Sequence, residues 1–572
     1  MSISEKEYTT KTKMHNILLV RPKNIYGLQN YPPLGLICTG TALTEAGYKV
    51  EIMINDHQSD FDEKFLEKAS KSLFVGFTTT TAEVQDGIRL ARLLRQNFKV
   101  PIVWGGWHVT LFPGQMESSQ LVDYAVVGEG EGGVLAIAKH FSKLKHNGNG
   151  SSISLLDNSH VNNGSDHIHH ISTTEVTCDP NKGKLLNVPF ISLEDLPSPN
   201  YDLVSNIESY IKRPLSDIFG DYYKNEFRWL PYESSRGCPY PCSFCINPVT
   251  GNRKYRVKSP KKVAAELAEL VTKHRLTHVK IIDDLFFVQI ERVREIFEEV
   301  AQLDVEFTWD AECRVDHVKK DFMDDDMFRF LVDNGLVQLT FGIESGSLDS
   351  LKRMRKGGKA GPEFAITAIE MCAKHGISSR GSFILDIPGD KPEDIFETVK
   401  LIRKLRRYPK FACGVHTYRP YPMSELATQL IAEGKFYQPD TLEEWESEES
   451  VRQYTDTAIE RTWQANHWLS SRIAFYESLE SGFWIKPHQL TNLLINWINN
   501  VFIKLAIFRN KHMFYRFPLD KIIYISFKDY CNKYFTKLHR NLYSNNGNNG
   551  ENTAEEFAFD AKDELELSTR SV

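Results

Sequence analysis

No stretch of about 20 uninterrupted apolar residues occurs in this 572-residue chain. The nearest, Leu490–Phe508, is broken by Asn492, Asn496, Asn499, Asn500 and Lys504, which excludes a membrane-spanning reading. The start, residues 1–16, lacks the apolar run that a secretion signal needs, so a cytoplasmic protein is expected. A strong excess of either charge is missing too. The formal charge of −6 argues against bulk attraction to nucleic acid, and no nucleic-acid partner is expected. Cysteine is scarce and odd in number, at nine. Three of the nine crowd together with no matching partners elsewhere, so a disulfide framework is a poor account and a reduced compartment with a metal a better one.

What is present divides into several domains, because this length exceeds what one hydrophobic core organises. Short apolar runs at Ile17–Val20, Val50–Ile54, Leu73–Phe77, Ile102–Trp104 and Tyr124–Val127 read as strands, separated by helical periods such as Asp86–Gln96. That alternation predicts an α/β doubly wound, Rossmann-like parallel sheet over 1–145. Its turns are small or polar: Thr78, Thr79, Thr80 and Thr81; then Gly105 and Gly106; then Gly128, Glu129 and Gly130. In such sheets ligands bind outside the carboxyl ends of the strands, where these turns fall. Residues 146–225 read as a linker or insertion with a proline-punctuated lead-in; the cluster His167, His169 and His170 lies there, for solvation or for metal.

Strands and helices alternate again over 226–442, with strands expected at Trp229–Ser234, His278–Ile282, Glu306–Ala311, Gln338–Gly342, Arg380–Asp386 and Gly414–Tyr418. Six such repeats without a Gly-rich dinucleotide fingerprint predict a partial (β/α) barrel whose functional residues sit at the carboxyl ends of strands. Residues 443–544 read as a mainly helical region and 545–572 as a disordered acidic tail.

Just after the first barrel strand stand Cys238, Cys242 and Cys245, spaced C-x3-C-x2-C on one loop. Thiolates suit iron–sulfur clusters and zinc alike, but a structural zinc ion wants four closed ligands and no fourth Cys or His lies nearby. Three ligands and one vacancy call for an exogenous ligand. With Phe244 just before the last cysteine, the segment resembles the radical S-adenosylmethionine (SAM) superfamily. The resemblance implies that the three cysteines hold a 4Fe-4S cluster whose open iron takes SAM, and that one electron from the cluster cleaves SAM to a hydrogen-abstracting 5′-deoxyadenosyl radical. It further implies SAM contacts from Phe244, from Asp283 and Asp284 after the second strand, and from Glu344 and Ser345 in a G-x-E-S-G segment after the fourth. Asp283 and Asp284 are otherwise solvated loop acids. Two later segments depart from the family pattern: Asp386 stands where glycine is common, and Met423 and Ser424 replace the last two residues of P-Y-P-G-T.

The N-terminal segments resemble the cobalamin-binding domain that precedes the barrel in one large radical SAM subfamily, and with the barrel the match spans roughly 14–430. The resemblance implies cobalamin contacts from Pro33, Leu34, Gly35, Thr78, Thr79, Thr80, Gly105, Gly106, His108, Gly128, Glu129 and Gly130, with His108 alternatively an ordinary loop histidine. The D-x-H-x-x-G motif is missing, Asp56-His57-Gln58 being its nearest fragment, so no histidine is expected below cobalt. The domain is alternatively vestigial and empty.

The function expected is a cobalamin-dependent radical SAM enzyme that methylates an unactivated carbon of a small-molecule or lipid-like substrate, reduced by a donor such as flavodoxin or ferredoxin. Cyclisation, oxidation or rearrangement with the same cofactors is the runner-up, and an inactive corrinoid carrier or sensor the alternative of another class. No residue is singled out as a catalytic proton or hydrogen donor. In the C-terminal region Leu490, Leu494, Trp497, Val501, Leu505 and Phe508 recur at helical spacing, predicting a helix over Pro487–Arg509. Core packing is the expected fate of this stripe; peripheral contact with an anionic membrane is the alternative, since nine Lys/Arg between Lys504 and Arg540 face only Asp520 and Asp529.

Overall fold

Two parallel sheets carry the fold in the computed structural model, which describes residues 15–25, 31–56, 60–147, 185–187, 190–212, 227–356, 361–455, 463–480 and 493–527. The first sheet contains β1 (Asn16–Arg21), β2 (Lys49–Ile54), β3 (Val75–Thr78), β4 (Ile102–Gly105), β5 (Tyr124–Val127) and β6 (Leu185–Asn187). Their order is β2-β1-β3-β4-β5-β6. All five expected strands are there. The sixth lies beyond residue 145, in the stretch read as linker and lead-in, and pairs in parallel with β5. The strands form because their apolar runs are buried on both faces: Ile17 and Leu19 belong to one core, Leu18 and Val20 to the other. The order reverses between β1 and β3, which opens a crevice at their carboxyl ends, the usual ligand position in a doubly wound sheet.

The second sheet begins with β7 (Trp229–Tyr232). A short antiparallel ribbon follows, β8 (Ser235–Arg236) with β9 (Arg256–Val257). Then come β10 (His278–Ile281), β11 (Thr308–Cys313), β12 (Leu336–Glu344), β13 (Ser378–Leu385) and β14 (Phe411–Thr417), ordered β14-β13-β12-β11-β10-β7 and all parallel. All six expected barrel strands are present. Helices form between them where local signals agree: Ser259 caps the helix Pro260–His274 by accepting from Lys262 N, and Arg275 ends it at φ 51°.

Alternation along these strands decides what each face does. Val279, Trp309, Ala311, Leu339, Phe341, Phe383 and Val415 are buried in the core shared with the helices, and Trp309 stacks on Phe297 with centroids 4.4 Å apart. The alternate residues, among them Lys280, Asp310, Glu312, Thr340, Arg380 and His416, are mostly polar, so the barrel has a polar lumen.

At the C-terminal end the expected helix runs Leu493–His512, but its stripe does not pack in the core. Trp497 is 65% exposed and Phe508 54%, with Val501 and Leu505 also exposed. Its buried positions among the described side chains are Asn499, Ala506 and Asn510. The polar pair wins the inner face through hydrogen bonds: Tyr524 Oη donates to Asn499 Oδ1, Asn510 Nδ2 donates to Glu480, and Glu480 pairs with Arg403. Leu490, the side chain of Leu494, the histidine cluster and the tail 545–572 lie outside the described residues. No helix among the described residues is long and apolar enough to cross a membrane.

Candidate active site

The loop after β8 carries the cysteine trio, and its neighbours fix it from three sides. Gly237 N donates to Asp284 Oδ2 at 2.8 Å, and Asn247 Nδ2 donates to Asp284 Oδ1 at 3.0 Å. Ser243 N donates to Met354 O at 2.9 Å. Tyr240 Oη is hydrogen-bonded to His317 Nε2 at 2.9 Å, and the Arg314 guanidinium lies 3.7 Å from the Tyr240 ring centroid. Held this way, Cys238, Cys242 and Cys245 remain half-buried and unpaired, whereas Cys313, Cys372 and Cys413 are buried in the barrel.

Does this donor set fit an iron–sulfur cluster? Among the described residues no three His, Cys, Asp or Glu side chains are gathered tightly enough to share one metal ion. Three thiols on one loop leave one iron of a 4Fe-4S cluster open, which suits the trio to a cluster better than to a closed four-ligand zinc site. The thiols are close enough to raise one another's proton affinity, and burial, the larger effect, pushes Cys245 up to about 11. A cluster that binds there displaces those protons.

The residues expected around SAM divide into two groups. Glu344 sits at the carboxyl end of β12 with a left-handed backbone, φ 66°, and pairs with Lys356 at 2.7 Å; the Lys356 ammonium also lies 5.8 Å from the Phe244 ring centroid. This brings Phe244, Glu344 and Lys356 together beside the cysteine loop. By contrast, Asp283 is buried, and its carboxylate accepts from Ser234 N, Ser234 Oγ and Ser235 Oγ at 2.7, 2.6 and 2.5 Å. Its bonds go into the turn before the loop. Ser345 is likewise 2% exposed and hydrogen-bonded to Thr398 Oγ1. Asp284 braces the cysteine loop from an exposed position. The polar atoms of Asp283 and Ser345 are thus engaged by the fold, because buried polar atoms take the partners nearest to them.

The N-terminal crevice shows the same division. Thr78, Thr80, Gly105, Gly106 and Gly128 are half-buried at the ends of β3, β4 and β5. A Cβ on Gly35 or Gly128 would meet open space, and Thr79 Oγ1 is buried without a partner. These features fit a cradle for a bulky nucleotide-tailed cofactor. Gly106, at φ 94°, is different: a Cβ there would come within 2.8 Å of Thr78 Oγ1 and Thr79 N. Pro33 is buried, with Leu34 half-buried and Gly35 exposed beside it. His108 does not line the crevice. It is fully buried, 5.0 Å from the Trp445 ring and 4.9 Å from Phe112, and burial lowers it to about 3. Trp445, from the C-terminal region, packs edge-on against the His108 ring. Gly130 packs on Thr39.

Glu129 does something the sequence did not signal. It pairs with Arg256 on β9 and, at 3.1 Å, with Arg236 on β8. Arg236 also reaches Glu131 at 2.8 Å and Glu233 at 2.6 Å. The Gly128–Glu131 turn of the first sheet is thus clamped to the ribbon that carries the cysteines. Arg236 lies two residues before Cys238, a position no spacing rule singled out.

Small-residue loops at the carboxyl ends of β3, β4 and β5, the last of them clamped to the ribbon that carries the thiol trio, suit a corrinoid-linked radical SAM protein. The B12 binding domain family matches residues 27–138 and the Radical SAM superfamily residues 232–402. The chain therefore combines these two domains and is a radical SAM enzyme, with a 4Fe-4S cluster, SAM and cobalamin as its cofactors. It is 27% identical over 435 residues to an uncharacterised methyltransferase of Pyrococcus horikoshii, covering 73% of this chain and 84% of that one. It is 25% identical over 409 residues to the anaerobic magnesium-protoporphyrin IX monomethyl ester cyclase of Rubrivivax gelatinosus, covering 70% and 66%. The cobalamin-dependent SAM radical enzyme OxsB, solved with aqua-cobalamin and SAM, shares the fold at a TM-score of 0.60 and 16% identity over 95% of this chain and 82% of that one.

Proposed function

We propose that this enzyme transfers a methyl group from cobalamin to an unactivated carbon of a small substrate. The observation that carries the reading is the ionic clamp from Arg236 and Arg256 to Glu129 and Glu131, which holds the cofactor crevice against the cysteine loop. A methyl donor and a hydrogen-abstracting centre serve one carbon only if both are held at its side. Cys238, Cys242 and Cys245 would hold the cluster. Phe244 and Glu344 would border SAM, and Gly35, Thr78, Thr80, Gly105 and Gly128 would border cobalamin. When bound, the cluster with SAM supplies a hydrogen-abstracting radical and cobalamin supplies a transferable methyl. The chain's own part is to orient and to exclude water. Tyr31, for example, sets its ring edge-on against Trp229, 5.5 Å away, where the first domain meets the start of the barrel sheet.

Anaerobic incubation with reductant, SAM and hydroxocobalamin tests this reading. Both 5′-deoxyadenosine and S-adenosylhomocysteine are expected; deoxyadenosine alone would favour cyclisation, oxidation or rearrangement, which the named cyclase relative keeps in view, and neither would favour a carrier. Replacing Cys238, Cys242 and Cys245 together by alanine is expected to abolish iron binding and SAM cleavage in a chain that still melts cooperatively. Retained cluster absorbance would overturn the ligand assignment. A flavodoxin or ferredoxin would supply the electron.

The outward stripe of Trp497, Val501, Leu505 and Phe508 beside Lys504, Lys511 and Arg516 also supports contact with an anionic membrane surface. Co-sedimentation with phosphatidylserine vesicles at low salt, weakened at physiological salt, is the expected result; no binding even at low salt would remove this contact.

A further inference from the structure

The apolar surface of the C-terminal region does not stop with the helix Leu493–His512. Phe508 packs against His512 with ring centroids 4.5 Å apart, and residues 513–518 then lead the chain into a second helical stretch, 519–527. Met513, Phe514, Phe517, Leu519, Ile522 and Ile523 are all exposed along it, Phe517 at 75% and Leu519 at 69%. Apolar residues exposed singly need no explanation, but a continuous run of them does.

The turn is firmly held. Arg509, whose side chain is 11% exposed, donates from Nη1 to Phe514 O and Arg516 O, both at 3.0 Å, and from Nη2 to Phe517 O at 2.9 Å. The same guanidinium grips Asp520, through Nε at 2.7 Å and Nη2 at 2.6 Å. Tyr515 is buried, and its hydroxyl donates to Asn510 Oδ1 at 3.3 Å. Met513 and Phe517 keep left-handed backbones, φ 49° and 54°, a conformation that bulky residues rarely adopt. One arginine thus fixes three carbonyls of the turn while Phe514, Phe517 and Leu519 stay exposed in a set arrangement. Such preorganisation lowers the ordering cost of burying them against a partner.

The charges around the turn decide between partners. Lys504, Lys511 and Arg516 are exposed, and the only Asp or Glu in 493–527 is Asp520, which Arg509 already holds. A two-fold contact between copies of the chain would set these cations against one another, whereas an anionic lipid surface complements them.

The turn is also tied to the mouth of the barrel. Arg472 Nη1 donates to Tyr515 O at 3.2 Å, and its guanidinium lies 5.4 Å from the ring centroid of Trp468, which is exposed. Two residues beyond Trp468, Ser470 bonds to Asp386 directly after β13, at the strand ends where Glu344 also lies.

We propose that residues 513–519 form a membrane-insertion loop: Phe514, Phe517 and Leu519 enter an anionic bilayer, the cations sit among its headgroups, and Trp468 meets the same surface, so that the carboxyl-end rim of the barrel faces the lipid. This deepens the membrane contact proposed above for the stripe from Trp497 to Phe508, and it rests on that reading. It adds the segment that penetrates and the direction in which the barrel faces.

The test uses the full-length, cluster-loaded protein with vesicles of phosphatidylserine and phosphatidylcholine. Phe517→Ser combined with Leu519→Ser is expected to weaken vesicle binding about tenfold or more, the worth of withdrawing one large apolar side chain from the bilayer. It should also abolish the rise in surface pressure that wild type gives beneath a monolayer of the same lipids. Both side chains are exposed, so the melting temperature should not change. The binding that remains should vanish at physiological salt, because only the cations still act. Trp468→Ser should weaken binding severalfold, and Leu303→Ser, exposed near the amino ends of the strands, should leave it unchanged. Wild type that binds vesicles no better than the double variant overturns the insertion loop and leaves the stripe contact standing; wild type that binds none overturns both. A concentration-dependent dimer that the double variant dissolves, in a protein indifferent to vesicles, would give the face to a second copy instead. Equal weakening in Leu303→Ser and Trp468→Ser would overturn the orientation.

Discussion

Gly237→Ala is expected to give a folded protein that cannot hold its cluster. Gly237 immediately precedes Cys238 and has φ 88°, where an L side chain costs about 1–2 kcal/mol. A Cβ at this position would also lie 2.0 Å from Lys254 O and 3.1 Å from its carbonyl carbon. That neighbour is backbone leading into β9, which pairs with β8 through Ser235–Val257 and Arg236–Arg256, so it cannot swing aside as a flexible side chain would. Either the ribbon opens or Cys238 moves, and in both cases the three thiols lose their common geometry. Overlap and backbone strain together are worth at least about 3 kcal/mol, more than a hundredfold in any equilibrium that needs the native loop. Gly434→Ala separates the two causes, since Gly434 also has positive φ, 66°, but a Cβ there meets nothing within 4 Å. Iron content and cluster absorbance after anaerobic reconstitution should fall to background in Gly237→Ala and stay at the wild-type level in Gly434→Ala. Full cluster content in Gly237→Ala would show that the loop is not set by this contact.

The architecture was legible because each strand carries an apolar face and the turns of the first sheet carry small or polar residues. Two family departures illustrate how backbone demand outlives residue identity. Asp386 and Met423, each standing where glycine is common, keep left-handed backbones of φ 61° and 60°. Both turns hold backbones that glycine adopts most easily, while their side chains serve other ends: Asp386 accepts a hydrogen bond from Ser470 Oγ at 3.0 Å, and burial raises it to about 6. Ser424 caps the helix Glu425–Ala432 by accepting from Ala427 N, as a threonine would. Pattern and propensity are local, so these features could be read along the chain.

The partners that individual site residues take could not be read along the chain, for a reason visible in Asp283, Ser345 and His108. Each stands where resemblance places a cofactor contact, yet each spends its polar atoms or its surface inside the protein. Asp283 goes to Ser234 and Ser235, Ser345 to Thr398, and His108 under Trp445 from more than 300 positions away. Which neighbour a buried polar group meets is decided by tertiary packing, which no spacing along the chain encodes. The same holds in the opposite direction for Glu312 and Arg380, ordinary strand residues until the register sets them on one level of the lumen. The helix Leu493–His512 is the clearest case. Its apolar periodicity was correct, but Asn499 and Asn510 found buried partners and turned the stripe outward.

Arg236→Gln is expected to uncouple the two domains while leaving each folded. The guanidinium is 14% exposed and lies between Glu129, Glu131 and Glu233. Burial alone would raise Glu131, but the charge of Arg236 and its hydrogen bond hold that carboxyl below its ordinary value. Removing the cation leaves a buried carboxylate without its partner, a loss of about 3–5 kcal/mol for a pair of this kind. Arg256 still holds Glu129, so the loss falls mainly on Glu131 and Glu233, both of which burial pushes up, and on the turn at Gly128–Gly130. In wild type Glu131 has a depressed folded value, so its contribution is present above the ordinary carboxylate range and is lost as pH falls through the folded value. In Arg236→Gln the folded value rises above the unfolded one, Glu131 takes up a proton, and the variant recovers stability as pH falls. The gap in melting temperature between wild type and variant should therefore be widest near pH 7 and narrow towards pH 4. Arg236→Gln combined with Glu131→Gln should recover part of the loss at pH 7. Hydrogen exchange should quicken in the helix that begins at Gly130, while the barrel strands remain protected. In the cofactor-loaded enzyme the same substitution is expected to lower S-adenosylhomocysteine formation by about a hundredfold, because methyl transfer needs the crevice and the cysteine loop held together. A gap that is constant with pH, or equal protection of that helix in both proteins, would show that Arg236 is a surface charge and not the tie between the domains.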